Sequence, residues 1–203
     1  MSSVCTGVIL AGGENTRFDG QHKALMRIGD ERILDRIFTV MSVVFDDLIL
    51  VTNTPERYLD YDATIVTDIL KSRSALTGIH TGLFYARSDY AFFTAGDTPF
   101  LKEEMIRAVV NGISPEIDIV MPETGKGREP LCAVYSRNCL ETARHSVENG
   151  RFKIMRAFRK KNLKVISEKA SRTADPRLLS FFNVNTPADL QRAEYLAREN
   201  EMS

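Results

Sequence analysis

The segment Leu10-Ala11-Gly12-Gly13-Glu14-Asn15-Thr16-Arg17, followed by Gly20 and Lys23, holds the residue types best suited to gripping phosphate. Adjacent glycines let a ligand come closer to backbone amides than any side chain would permit. Arg17 and Lys23 add positive charge of the kind that holds a triphosphate and offsets a pyrophosphate leaving group. Taken alone, the glycine pair also fits an ordinary turn flanked by surface charges. Two other phosphate loops do not match. The P-loop needs a Gly-Lys-Ser/Thr ending and the dinucleotide fingerprint needs three glycines at set offsets. Downstream, Asp97 in Gly96-Asp97-Thr98-Pro99 is a candidate carboxylate for a hard cation such as Mg2+, which takes one or two carboxylates and fills its shell with phosphate and water. The same aspartate also fits as a cap on the turn before Pro99.

These residues work together only if the chain brings them to one edge. Short β-branched runs alternate with helical patterns, which predicts an α/β fold: a Rossmann-like three-layer sandwich with a mostly parallel sheet and a small antiparallel portion. Strands are expected over 4–10, 48–52, 63–67 and 90–95, and helices over 32–43, 77–86 and 102–110. Strands over 117–121 and 131–135, with a glycine-rich turn at 125–127 between them, suggest an antiparallel pair. Helices over 138–148 and 152–158 and a strand over 163–167 follow. Residues 181–185 lead into a last helix, with Thr186 as N-cap, Pro187 at the first helical position and Asp189 answering the exposed amides. Both the glycine loop and Asp97 follow strands, so both belong at the carboxyl edge of the sheet, where α/β folds bind ligands.

At 203 residues the chain reads as one domain, 1–203, with enough length for a substantial core. No apolar run approaches the roughly 20 residues of a membrane helix, and the N-terminus lacks a secretory pattern. A cytoplasmic location is expected. With 27 basic and 27 acidic side chains, no global field favours nucleic acid or a membrane surface. The basic stretch Arg156, Arg159, Lys160, Lys161 and Lys164 is read as a solvated face. Cys5, Cys132 and Cys139 lack metal-ligand spacing and are read as buried free thiols. His80 and His145 are assigned surface or capping roles on helices.

The loop residues at these offsets resemble the signature of the bacterial molybdenum cofactor guanylyltransferases, the MobA-like nucleotidyltransferases. The likeness continues in the family's order through Leu76-Thr77-Gly78-Ile79, Gly96-Asp97-Thr98-Pro99-Phe100-Leu101, Glu129-Pro130-Leu131 and Asn183-Val184-Asn185-Thr186-Pro187. It implies a fold of the nucleotide-diphospho-sugar transferase type and transfer of GMP from GTP to the terminal phosphate of molybdopterin, with release of pyrophosphate. By the same likeness Arg17, Lys23 and Asp97 are catalytic, and Asp97 binds Mg2+. Leu10, Ala11, Gly12, Gly13, Lys23, Asp68 and Asp97 hold GTP, with either Asn53 or Val51 at a further nucleoside position. Asn183 and Asn185 match a pair at the family's second-substrate site, or else form the turn into the last helix; Arg128 either receives the pterin phosphate of molybdopterin or is a solvated turn residue, and Arg151 and Arg156 are further candidates to reach an anionic cofactor. Transient contact with molybdoenzymes or their chaperones is implied as well.

A phosphate monoester has a second pKa near 6, so the attacking group is already largely ionised near neutral pH. The missing Ser-His-Asp or Cys-His arrangement is therefore no objection. By the resemblance Leu-Ala-Gly-Gly, which includes Gly13, favours GTP, because related cytidylyltransferases carry Leu-Ala-Ala-Gly there. The chain departs from the family at Phe18-Asp19, at His22 and at Ser74-Ala75 of the motif ending in Gly78. Competing readings are a CTP-dependent cytidylyltransferase, another small phosphate-ester nucleotidyltransferase, and a non-catalytic carrier of the cofactor.

Overall fold

In a computed structural model of the chain, residues 5–12 and 22–201 are described. The first strand, β1 (Cys5–Leu10), is buried along its whole length, as expected of a central parallel strand with helices over both faces. A 3-10 turn at Lys23–Leu25 leads to a small ribbon, β2 (Arg27–Ile28) and β3 (Glu31–Arg32), closed at Gly29 with φ +62°. The alternation of apolar residues was too short to signal this ribbon. Then follow α1 (Ile33–Val44), β4 (Leu48–Val51), β5 (Thr64–Val66), α2 (Ala75–Tyr85), β6 (Tyr90–Ala95) and α3 (Glu103–Val110). Helix α2 starts earlier than its apolar pattern indicated, because the Ser74 hydroxyl caps it by accepting from the Thr77 amide at 3.1 Å.

The second half comprises β7 (Ile119–Thr124), β8 (Gly127–Arg128), β9 (Cys132–Ser136), α4 (Leu140–Glu148), α5 (Ile154–Ala157), β10 (Leu163–Ile166), α6 (Glu168–Ala174) and α7 (Pro187–Glu201). The main sheet runs β10-β7-β9-β6-β1-β4-β5, with β8 attached to β7. Strand β9 is antiparallel to both neighbours, and the other main strands are parallel. The expected antiparallel pair is therefore present as β7 and β9. The glycine turn, however, joins β7 to the short β8, and residues 129–131 carry the chain on to β9. Helix α6 had no expectation, and its start is capped by Ser167.

Alternating side chains sort the sheet into two cores. Ile9, Leu50 and Phe92 pack against α1, α3 and α7 on one face, and Val8, Ile49 and Phe93 pack against α2 and α4 on the other. Gly7 and Gly82 bring helices close on opposite faces. A Cβ at Gly7 would lie 2.6 Å from Leu48, and one at Gly82 would lie 2.5 Å from Phe93. The three cysteines are buried, as expected. His80 is buried too, only 3% exposed and stacked near Phe84, which corrects its assignment to the surface. Among the described residues no helix is long and apolar enough to cross a membrane.

Candidate nucleotide site at the sheet edge

Strand order reverses between β1 and β6, the switch point at which α/β sheets open a crevice. Two backbone bonds carry the ladder past the strand ends. The Ala11 amide donates to the Val51 carbonyl and the Gly96 amide to the Leu10 carbonyl, each at 2.9 Å. Gly96 cannot carry a side chain without backbone movement, since a Cβ would lie 3.2 Å from both Ala11 Cα and the Leu10 carbonyl oxygen. Gly12 differs. Its nearest neighbour to a Cβ would be Asn53 Nδ2 at 3.7 Å, and its φ is not in the left-handed region. Among the described residues nothing excludes a side chain at Gly12.

Beyond β1 lies a cleft of about 470 Å³. Lys23, Asp97 and Asn185 meet on one side of it. The Lys23 ammonium donates to Asn185 Oδ1 at 2.9 Å and stands 3.7 Å from Asp97 Oδ2. Burial pushes the Asp97 carboxyl above the ordinary aspartate range, and the Lys23 charge pulls in the opposite direction. The segment carrying Asn183 and Asn185 is pinned by the Val184 amide, which donates to the Asp97 carbonyl at 2.9 Å. Its far end is tied by Asp189, which accepts from the Asn185 and Thr186 amides and completes the expected cap of α7. Upstream, the buried Asp175 accepts from the Ser180 amide and hydroxyl and faces Lys102 at 3.4 Å, anchoring the chain that leads into this segment.

On the other side of the cleft, Asp68 follows β5. Asn53 Nδ2 donates to Asp68 Oδ2 at 2.8 Å, and the Thr81 hydroxyl donates to Oδ1 at 3.4 Å. Burial raises the Asp68 pKa and these two bonds oppose the rise. Both Asn53 and Val51 line the cleft. His22 lines it as well, with its pKa lowered by burial and by Arg57, so a neutral imidazole stands next to Lys23.

The structure thus gathers Leu10, Ala11, Gly12, Lys23, Asp68, Asp97, Asn183 and Asn185 into one crevice. Gly13 and Arg17 lie outside the described residues. Arg128 is not in the cleft lining. It sits on the β7–β8 hairpin with its guanidinium 3.4 Å from Glu123. Arg151 and Arg156 are exposed and away from the cleft. Sequence reasoning did not pick out Tyr58, Arg73 or Ser74 as part of the cleft; no motif or spacing marks the first two, and Ser74 was noted only as a departure from the family's motif.

Among the described residues, no three His, Cys, Asp or Glu side chains cluster as a metal cage. A single desolvated carboxylate at Asp97 beside the Lys23 ammonium fits Mg2+ brought in with a polyphosphate, because Mg2+ keeps water and phosphate ligands and needs few from the protein.

The family described as MobA-like NTP transferase domain matches residues 7–165. The molybdenum cofactor guanylyltransferase of Desulfosudis oleivorans is 44% identical over 198 residues, covering 98% of each chain. The crystal structure of molybdopterin-guanine dinucleotide biosynthesis protein A from Archaeoglobus fulgidus overlays with a TM-score of 0.85 at 25% identity, over 96% of this chain and 99% of its own. CMP:2-keto-3-deoxy-manno-octonic acid synthetase overlays with a TM-score of 0.73 over 98% and 100% of the two chains. At 12% identity, that last likeness is one of fold alone.

Proposed function

The chain belongs to the MobA-like NTP transferase family, and from that premise we propose that it transfers GMP from GTP to the terminal phosphate of molybdopterin, releasing pyrophosphate. The observation that carries this reading is the meeting of Lys23, Asp97 and Asn185 at the switch-point cleft, with Asp68 across from them. A monoester oxygen of molybdopterin attacks the α-phosphorus of GTP. The bond to the β-phosphate oxygen breaks, and its electron pair leaves with pyrophosphate. The attacking oxygen is already largely ionised near pH 7, so the protein has to position two anions and offset their charge rather than remove a proton.

In this reading Leu10, Ala11 and Gly12 present backbone to the nucleotide, together with Gly13. Lys23 turns from Asp97 toward phosphate oxygens, with Arg17 as a second cation. Asn185 holds the Lys23 ammonium and, with Asn183, adjoins molybdopterin. Arg128 receives the pterin phosphate. Asp97 holds Mg2+, which when bound supplies charge to the phosphates and draws on the carboxylate in its ionised form. The cell compartment that fits such a reaction is the cytoplasm, and the product passes to molybdoenzymes by transient contact.

Incubating the protein with molybdopterin, Mg2+ and each nucleoside triphosphate separately, and weighing the products, tests the reading. GTP should give the guanine dinucleotide and pyrophosphate. Product from CTP and none from GTP would overturn the base assignment.

A further inference from the structure

Arg73 lies on the loop between Asp68 and α2 and lines the same cleft, yet no role has been assigned to it. Among the described residues it forms no ion pair within 4 Å and no side-chain hydrogen bond. Asp68 and Asp97 follow β5 and β6, which are separated by β4 and β1. Three strand spacings of about 4.8 Å put roughly 14 Å between those strand ends. The loop that bears Arg73 therefore starts well away from the charged cluster of Lys23 and Asp97.

A carboxylate can read only half of a guanine base. Its two oxygens accept from adjacent N–H groups, N1 and N2 in guanine, and leave the O6 and N7 acceptors in need of donors. Two polar side chains near Asp68 already have partners. Asn53 Nδ2 bonds to Asp68 itself at 2.8 Å, and Ser74 Oγ caps α2 while sharing a 2.9 Å bond with the Thr77 hydroxyl. Arg73 offers a rigid fork of N–H groups that matches O6 and N7, the commonest specific contact to guanine.

We propose that Arg73 is a base-reading residue, donating to O6 and N7 of guanine while the Asp68 carboxylate accepts from N1 and N2. This rests on the GTP reading above and deepens it. Cytosine presents no such pair of acceptors beside two donors, so the Asp68 and Arg73 pair selects against it. The Arg73 charge is also among those that oppose the burial-driven rise in the Asp68 pKa, which keeps the carboxylate available as an acceptor.

The test compares equilibrium binding of GTP, 7-deaza-GTP, CTP and inorganic triphosphate, each with Mg2+, to wild type and Arg73→Ala. 7-Deaza-GTP carries a C–H in place of N7. Wild type should bind it about ten-fold more weakly than GTP, the scale expected for part of a bidentate base contact. Arg73→Ala should lose about ten-fold for GTP, no longer distinguish the two, and bind triphosphate as wild type does. Arg73 is exposed, so the variant should fold normally. If Arg73→Ala weakens GTP, CTP and triphosphate alike, Arg73 grips phosphate and the base-reading role is wrong. If it weakens none, Arg73 is a surface residue and the role is equally wrong. A wild type that binds CTP in preference to GTP overturns the GTP reading itself, and this proposal with it.

Discussion

At one end of the cleft Lys23, Asp97 and Asn185 satisfy one another across segments drawn from both ends of the chain, while at the other Asp68 is held by neutral donors from nearby elements. The first end is charged, and its partners are groups that a polyphosphate and its cation can replace. At the second, Asp68 accepts from Asn53 and Thr81, and Arg73 lines the same wall. On the proposed reading, chemistry and selection fall to separate sets of residues, joined by the backbone of Leu10 to Gly12. A substitution at one end should damage turnover, and one at the other should damage the choice of nucleotide.

The largest effect falls at the charged end. Lys23→Ala and Asp97→Asn should each lower kcat by about 10²–10³-fold, the loss typical of removing one preorganised charge-stabilising group, read as pyrophosphate release at saturating GTP. Normal turnover in both variants would break the comparison, since it would leave the charged end without a task. Between the two ends, Gly12→Ala and Gly96→Ala should behave oppositely. The first meets no atom of the described residues closer than 3.7 Å, so melting should be unchanged while GTP affinity falls about ten-fold. The second drives a methyl against backbone at 3.2 Å and should cost about 1–3 kcal/mol of stability. Equal melting temperatures for the two variants would show that the contact at Gly96 relaxes freely.

A smaller effect sharpens the account of Asp97. Its native pKa lies above the unfolded value because burial outweighs Lys23. This group's contribution to stability is therefore complete below the ordinary carboxylate pKa and is lost as pH rises through the native one. Asp97→Asn should melt above wild type at pH 7 in the absence of nucleotide, and the gap should close on acidification toward the carboxylate range. A gap that widens with acid reverses the sign of the argument. Least of all, Arg128→Ala should change stability by under about 0.5 kcal/mol, as expected for an exposed pair with Glu123. On the proposed reading it raises the molybdopterin KM a few-fold and leaves the GTP KM alone. A raised GTP KM would place Arg128 at the wrong substrate.

Much of the cleft was legible before any coordinates because its residues sit at strand ends in short motifs. A run such as Val8-Ile9-Leu10 before two glycines announces both a buried strand and the loop that leaves it. Asp97 and Asn185 could be named for the same reason. The Thr186 and Asp189 cap was legible because it is local chemistry spanning three residues. Arg73 and Tyr58 were not, because a residue on a connecting loop has no periodicity and its neighbours come from other strands. The ribbon at 27–32 and helix α6 escaped for a related reason, being too short for an apolar pattern to accumulate.

The chain by itself determined the alternation of strands and helices, the glycine-rich segment that follows β1 and the carboxylate that follows β6. These are consequences of local pattern and of side-chain chemistry that does not depend on neighbours. Only the tertiary structure decided that Lys23 is paired with Asp97 and braced by Asn185, that Arg128 stands off with Glu123, and that Arg73 shares a wall with Asp68. The reason is the crossover order of the sheet. It sets β5 three strands from β6 and turns the segment at 183–185 back onto Asp97, so that residues far apart in the chain meet at distances no spacing along it encodes.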